Sequence, residues 1–105
     1  MDLSTFQAIN EIRSKEVFGA HPKEQPLTFW AVGLAGEVGE ACNVIKKYER
    51  GDDLPNFDTM LADELGDSLM HLCLLASHLG IDLMEVSIAK FNKVNDKYGR
   101  SDLNI

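Results

Sequence analysis

Apolar residues recur at spacings of three and four along almost the whole chain and nowhere alternate strictly with polar ones. That pattern predicts helices and no strands. The first helix is expected from about Ser4 to Phe18, with Ser4 as its N-cap and Phe6, Ile9, Ile12 and Val17 as an approximate stripe. Gly19, Pro22 and Pro26 then break the pattern into a linker. A second helix is expected from about Leu27 to Arg50, with a core-facing seam of Trp30, Leu34, Val38, Ala41, Ile45 and Tyr48. A third runs from about Asn56 to Leu79 and is ended by Gly80; its seam is Leu61, Leu65, Leu69, Leu72, Ala76 and Leu79. The fourth spans about Asp82 to Tyr98, with Met84, Ile88, Phe91 and Val94 leaning inward and Lys90, Lys93 and Lys97 on another face. Residues 99–105 read as a frayed tail.

With 105 residues, the chain is sized for a single domain over 1–105, in which 1–26 form an N-terminal helix and linker. The fold class is all-α, a bundle of four to five helices in which short loops make successive helices antiparallel neighbours. The third helix is apolar nearly all round. A protomer this small cannot cover it, so an oligomer is expected, with the third helix central.

The polar exceptions to this pattern carry the chemistry. Glu37 and Glu40 stand three apart, as do Glu64 and Asp67. That offset places each pair on one helix face, where like charges repel. Glu37 lies on the flank of the second helix's seam, with Glu40 a little further round and Val44 and Lys47 continuing the flank. On the third helix Met60, Glu64, Asp67, His71 and His78 form a second line. Side by side, the two helices aim four carboxylates at one groove, which calls for a hard divalent cation, magnesium or manganese. Gly39 and Gly66 sit within the pairs at a cost to helix stability, which suggests close backbone approach or room for a ligand. A cation there would activate phosphate oxygens and water, so the expected reaction is phosphoanhydride hydrolysis.

The formal net charge of −7 argues against a general nucleic-acid binder. Cys42 and Cys73 fall in apolar helical patterns and read as buried thiols, with no zinc spacing nearby. The N-terminal residues lack a basic region followed by an apolar run, and no stretch is suited to spanning a membrane. A cytoplasmic location without membrane or nucleic-acid partners is the expectation.

The stretch Leu34-Ala35-Gly36-Glu37-Val38-Gly39-Glu40, followed by Glu64-Leu65-Gly66-Asp67, resembles the MazG-like all-α nucleoside triphosphate pyrophosphohydrolases. Their signature is ExxE, a gap, then ExxD, and the resemblance extends from about Trp30 to Tyr98. It implies magnesium-dependent cleavage of a nucleoside or deoxynucleoside triphosphate between its α and β phosphates, as in house-cleaning of non-canonical or excess nucleotides. Glu37, Glu40, Glu64 and Asp67 would be the metal ligands, with one of them open to orienting the attacking water instead. Lys90 and Lys93 resemble the family's basic C-terminal segment that contacts phosphates, with Asn92 and Asn95 as polar candidates nearby. Lys47 is a further phosphate candidate from its place on the flank. Trp30 and His71 are candidates to bind the base, and His21 is a weaker one. His78 reads as structural. The resemblance also implies a homo-oligomer, a dimer or a tetramer of two dimers, with the pocket near or across the subunit interface. Two alternatives remain open: a phosphoribosyl-ATP pyrophosphohydrolase, and a non-catalytic helical module whose acidic groove binds a basic partner.

Overall fold

The structure, a computed structural model, describes residues 1–105. It contains four α-helices and two 3-10 turns and no strand: α1 (Leu3–Phe18), α2 (Leu27–Glu49), α3 (Phe57–His78) and α4 (Leu83–Lys97), with turns at Pro22–Glu24 and Ser101–Leu103. The all-α expectation holds, and each helix falls within a few residues of its predicted bounds. No single helix is long and apolar enough to cross a membrane.

Local chemistry explains the helix ends. Asp2, rather than Ser4, caps α1: its Oδ1 accepts from the Thr5 N–H at 2.8 Å. Ser4 Oγ donates instead to Asp82 Oδ1 at 2.8 Å, which ties α1 to the start of α4. Gly19 closes α1 at φ +80°, a left-handed conformation that suits glycine. The linker then folds back as a strap. The fully buried Pro22 offers its carbonyl to both the Trp30 indole N–H, at 2.8 Å, and His78 Nδ1, at 3.0 Å. His78 is therefore structural, as its position on α3 suggested. Gly99 to Ile105 is not frayed: Asp96 Oδ1 accepts from Ser101 Oγ and Asn104 Nδ2, and Asn92 pairs with both backbone groups of Ile105.

Packing departs from the predicted seams more than the helices themselves do. The α2 and α3 helices lie side by side, and this is the main contact of the fold. The buried line of α2 holds Trp30, Ala41 and Val44, with Gly33, Leu34, Glu37 and Lys47 half-buried, while Val38, Ile45 and Tyr48 are exposed. What was predicted as the flank is the face that meets α3. On α3, Cys73, Leu74, Ala76 and Ser77 are buried, but Leu65 is 57% exposed and Leu69 and Leu79 also reach the surface. Cys42 is exposed, against expectation, and Cys73 is buried.

The inward face of α1 is polar. Gln7, Asn10 and Ser14 are buried, whereas Ile9, Ile12 and Val17 of the predicted stripe are exposed. Gln7 Nε2 donates to Ile81 O at 2.7 Å and to Ser77 Oγ at 3.2 Å, and its Oε1 accepts from the Leu83 N–H at 2.9 Å. One side chain thus fixes the turn between α3 and α4. Those two helices meet at 98°, not antiparallel, so α4 leaves the α2–α3 pair and packs on α1 and the C-terminal turn. Met84 and Ile88 are half-buried there, while Phe91 and Val94 stay exposed.

The result is an open protomer. Its radius of gyration is 16.6 Å, against about 13 Å for a compact 100-residue domain. It exposes 7210 Å², where a folded monomer of this size exposes about 5,900 Å².

Replacing Gln7 by Leu leaves Ile81 O and the Leu83 N–H without their side-chain partner. Urea unfolding is expected to show a loss of about 2 kcal/mol, and an unchanged midpoint would contradict the bridging role of Gln7.

Candidate metal and nucleotide site

The α2–α3 groove gathers three carboxylates. One oxygen each of Glu37, Glu40 and Glu64 lies within 4.8 Å of the others. Glu37 and Glu64 are half-buried and Glu40 is exposed. The helix phase that turns Ala41 and Val44 onto α3 also turns Glu37 inward, because 37, 41 and 44 share one stripe.

This cluster is electrostatically unfinished. Glu37 Oε2 and Glu64 Oε2 are buried and have no hydrogen-bond partner. Buried polar atoms are normally paired, and charged ones especially so. The Glu64 carboxyl is pushed up to about 7, first by its hydrogen bond to Glu40, then by loss of solvent, by the charge of Glu40 and by Glu37. The neighbouring carboxylates thus favour the protonated form of Glu64, and a cation would relieve the same repulsion. The donor set is all oxygen, which suits a hard divalent ion.

Asp67 does not join the trio. Its side chain is one methylene shorter than glutamate, and it sits about one turn further along α3 than Glu64. Its carbonyl accepts from His71 Nδ1 at 3.0 Å, which holds the imidazole toward α2. The facing residue is Gly33, which the sequence reading passed over. A Cβ at position 33 would lie 2.8 Å from His71 Cδ2, so only glycine leaves that ring its place. Gly39 and Gly66 meet nothing within 4 Å, so of the two expectations for them, close backbone approach or room for a ligand, the first does not hold. Bulky apolar residues dominated the predicted seam, and a glycine contact carries no such signal.

The basic candidates are elsewhere. Lys47 is half-buried near the C-terminal end of α2 and is not paired with Glu40. It lies near Asp52, whose carboxyl is held below its usual range by Arg50 first and by Lys47 to a lesser extent. Lys90, Lys93 and Asn95 ride on α4, beyond the 98° bend. Glu64 is fourteen residues before the end of α3, about 20 Å of helix, so these three do not meet the carboxylates of their own protomer. Asn95 Nδ2 is buried and unpartnered. His21 is not free for a base: its Nε2 pairs with Glu11 and its Nδ1 accepts from the Lys23 N–H.

Folded Glu64 keeps its proton up to about 7, whereas its ordinary value is 4.5. The folded state binds the extra proton, so metal-free protein is expected to lose stability as pH rises through that window. The caps Asp2 and Asp82 are held below 3.8 by backbone N–H groups, and their contribution is lost only on further acidification. Thermal melts from pH 5 to pH 8 with a chelator check the trend, and Glu64→Gln should flatten it. A melting temperature that climbs across the window would contradict it.

Residues 25–100 match the model of the MazG nucleotide pyrophosphohydrolase domain. The chain is also similar to the Gene 37 protein of Mycobacterium phage L5, with 35% identity over 78 residues covering 70% of this chain and 68% of the phage protein. No solved structure matches the chain at comparable significance. The matched span takes in α2, α3 and α4, and with them all four acidic positions, while α1 precedes it. By fold, by the paired acidic motifs and by this match over most of its length, the chain belongs to the MazG nucleotide pyrophosphohydrolase family.

Proposed function

We propose that the protein hydrolyses nucleoside or deoxynucleoside triphosphates to the monophosphate and pyrophosphate, with magnesium as the working ion, in a house-cleaning role. The observation that carries this reading is the convergence of Glu37, Glu40 and Glu64 within 4.8 Å with two buried, unpartnered oxygens. Those three residues would hold the ion. When bound, it supplies Lewis-acid polarisation of the phosphoanhydride. Asp67, which stays apart from the trio, is left to orient the attacking water and take its proton. The water oxygen then bonds to the α phosphorus, the bond from that phosphorus to the bridging oxygen breaks, and pyrophosphate leaves.

The site also needs cations that its own protomer does not bring. The surface excess over a compact monomer is about 1,300 Å², more than the ~800 Å² one partner buries in a standard interface. We therefore place a second copy of the chain over the exposed apolar faces of α1, α2 and α3. Its Lys90 and Lys93 would then offset triphosphate charge, with Asn95 available as a polar contact.

Pyrophosphate release from a panel of canonical and modified nucleotides, with and without Mg²⁺, tests the reading. Turnover should require the ion. Glu64→Gln should lose both Mg²⁺ binding and turnover. Asp67→Asn should keep Mg²⁺ binding and lose ~100-fold or more in kcat, in the usual range for a proton-transfer group. Release of orthophosphate alone, or no turnover of any nucleotide, would sink the proposal.

A further inference from the structure

The strap between α1 and α2 is held closed through a histidine whose bonding depends on its protonation state. His21 caps the turn at Pro22–Glu24: its Nδ1 accepts from the Lys23 N–H at 3.0 Å, and its own backbone N–H donates to Glu24 Oε2 at 2.8 Å. Its Nε2 pairs with Glu11 on α1. Just before it, Ala20 O accepts from Ser14 Oγ at 2.8 Å. Inside the capped turn lies Pro22, fully buried, whose carbonyl takes the Trp30 and His78 donors. The cap therefore shapes the turn that delivers Pro22 O to α2 and α3.

The three histidines carry their protons differently. A backbone N–H only donates, so Nδ1 of His21 is bare and the proton of its neutral ring sits on Nε2, facing the Glu11 carboxylate. His71 and His78 are the opposite tautomer, because each directs Nδ1 at a backbone carbonyl, which only accepts. A second proton on either of those rings goes to Nε2 and leaves the Nδ1 bond in place. On His21 the second proton must go to Nδ1, where it displaces the Lys23 N–H.

The charged groups around the ring do not offset that loss. Glu11 attracts an imidazolium, but the Nε2–H donates to it in both states, and with His21 25% and Glu11 35% exposed the added charge gains little. Glu24, on the strap itself, acts in the same sense as Glu11, and Lys23 opposes it. Lys15 follows Glu11 by about one turn on α1. Asp82, at the start of α4, lines one depression with Glu11 and Lys23. From α3 the titratable neighbour is His78, and α2 brings no charged group before Glu37.

We propose that His21 is an acid-sensitive latch: its protonation uncaps the turn at Pro22–Glu24 and releases the strap from Trp30. The closed strap binds one proton fewer than the open one, so falling pH favours opening in a one-proton step. Histidine ordinarily changes charge between about pH 5 and pH 8. Trp30 stands about two helical turns before Glu37, so release loosens the start of the helix that carries two of the clustered carboxylates. Glu11 and His21 lie outside the span shared with the family, so the latch belongs to this chain and does not rest on the pyrophosphohydrolase reading.

Trp30 is the single tryptophan and reports directly on the strap. Indole emission and exchange of the indole N–H, corrected for its intrinsic rate, are followed from pH 8 to pH 5 in the full-length metal-free protein. Emission should shift to the red in a one-proton step at constant helicity, and indole protection should fall about fivefold, the size of a lost cap. His21→Asn, which caps without titrating, should hold the pH 8 values throughout. Glu64→Gln should keep the step, because the latch is separate from the carboxylate cluster. No step in the native protein, a step that survives in His21→Asn, a step that vanishes in Glu64→Gln, or one accompanied by loss of helicity would overturn the proposal.

Discussion

Carboxylate repulsion across the α2–α3 groove is the constraint on which the rest of the structure turns. The two helices pack closely through Ala41, Val44, Cys73, Leu74 and Ala76, and nothing else in the fold is as extensive. That packing fixes Glu37 and Glu40 opposite Glu64 and leaves two oxygens without partners. An apolar pair at these positions would pack without penalty, so the cluster makes physical sense through what it binds. Without an ion, that repulsion favours the protonated form of Glu64.

Around that pair the protomer is loosely closed. Gln7, Asn10 and Ser14 dock α1 by hydrogen bonds rather than by apolar contact, and the same helix leaves Ile9, Ile12 and Val17 in solvent. The bend after α3 carries α4 away with its lysines. Both features follow from one assignment of faces: polar side chains make the specific internal joints, and apolar area is left exposed. The proposed second copy and the separation of Lys90 and Lys93 from the carboxylates are two consequences of the same geometry.

The helices were legible because punctuation and period agreed: glycines and prolines mark every break, and 3.6-residue periodicity fills the rest. The acidic pairs were legible because like charges at a three-residue offset are locally unfavourable and so conspicuous. The rest depended on tertiary contact. Large apolar residues pulled the predicted seams toward Val38, Leu65 and Ile9, while the true joints use small and polar ones. The contact of Gly33 with His71 and the bridge made by Gln7 leave no periodic trace. Asp67 shares a motif with Glu64, yet a shorter side chain about one turn on keeps it out of the trio. The alternatives of phosphoribosyl-ATP cleavage and of a non-catalytic module gain no specific support from this geometry.

The central claim, that the repelling carboxylates form a divalent-cation site, is tested most directly by counting protons. Mg²⁺ is titrated calorimetrically into the protein at pH 6, in two buffers of different ionisation enthalpy. With the Glu64 carboxyl raised to about 7, binding should release about one proton per ion, and Glu64→Gln should show neither binding nor proton release. Binding with no proton release, or with the same release in the variant, would contradict the account.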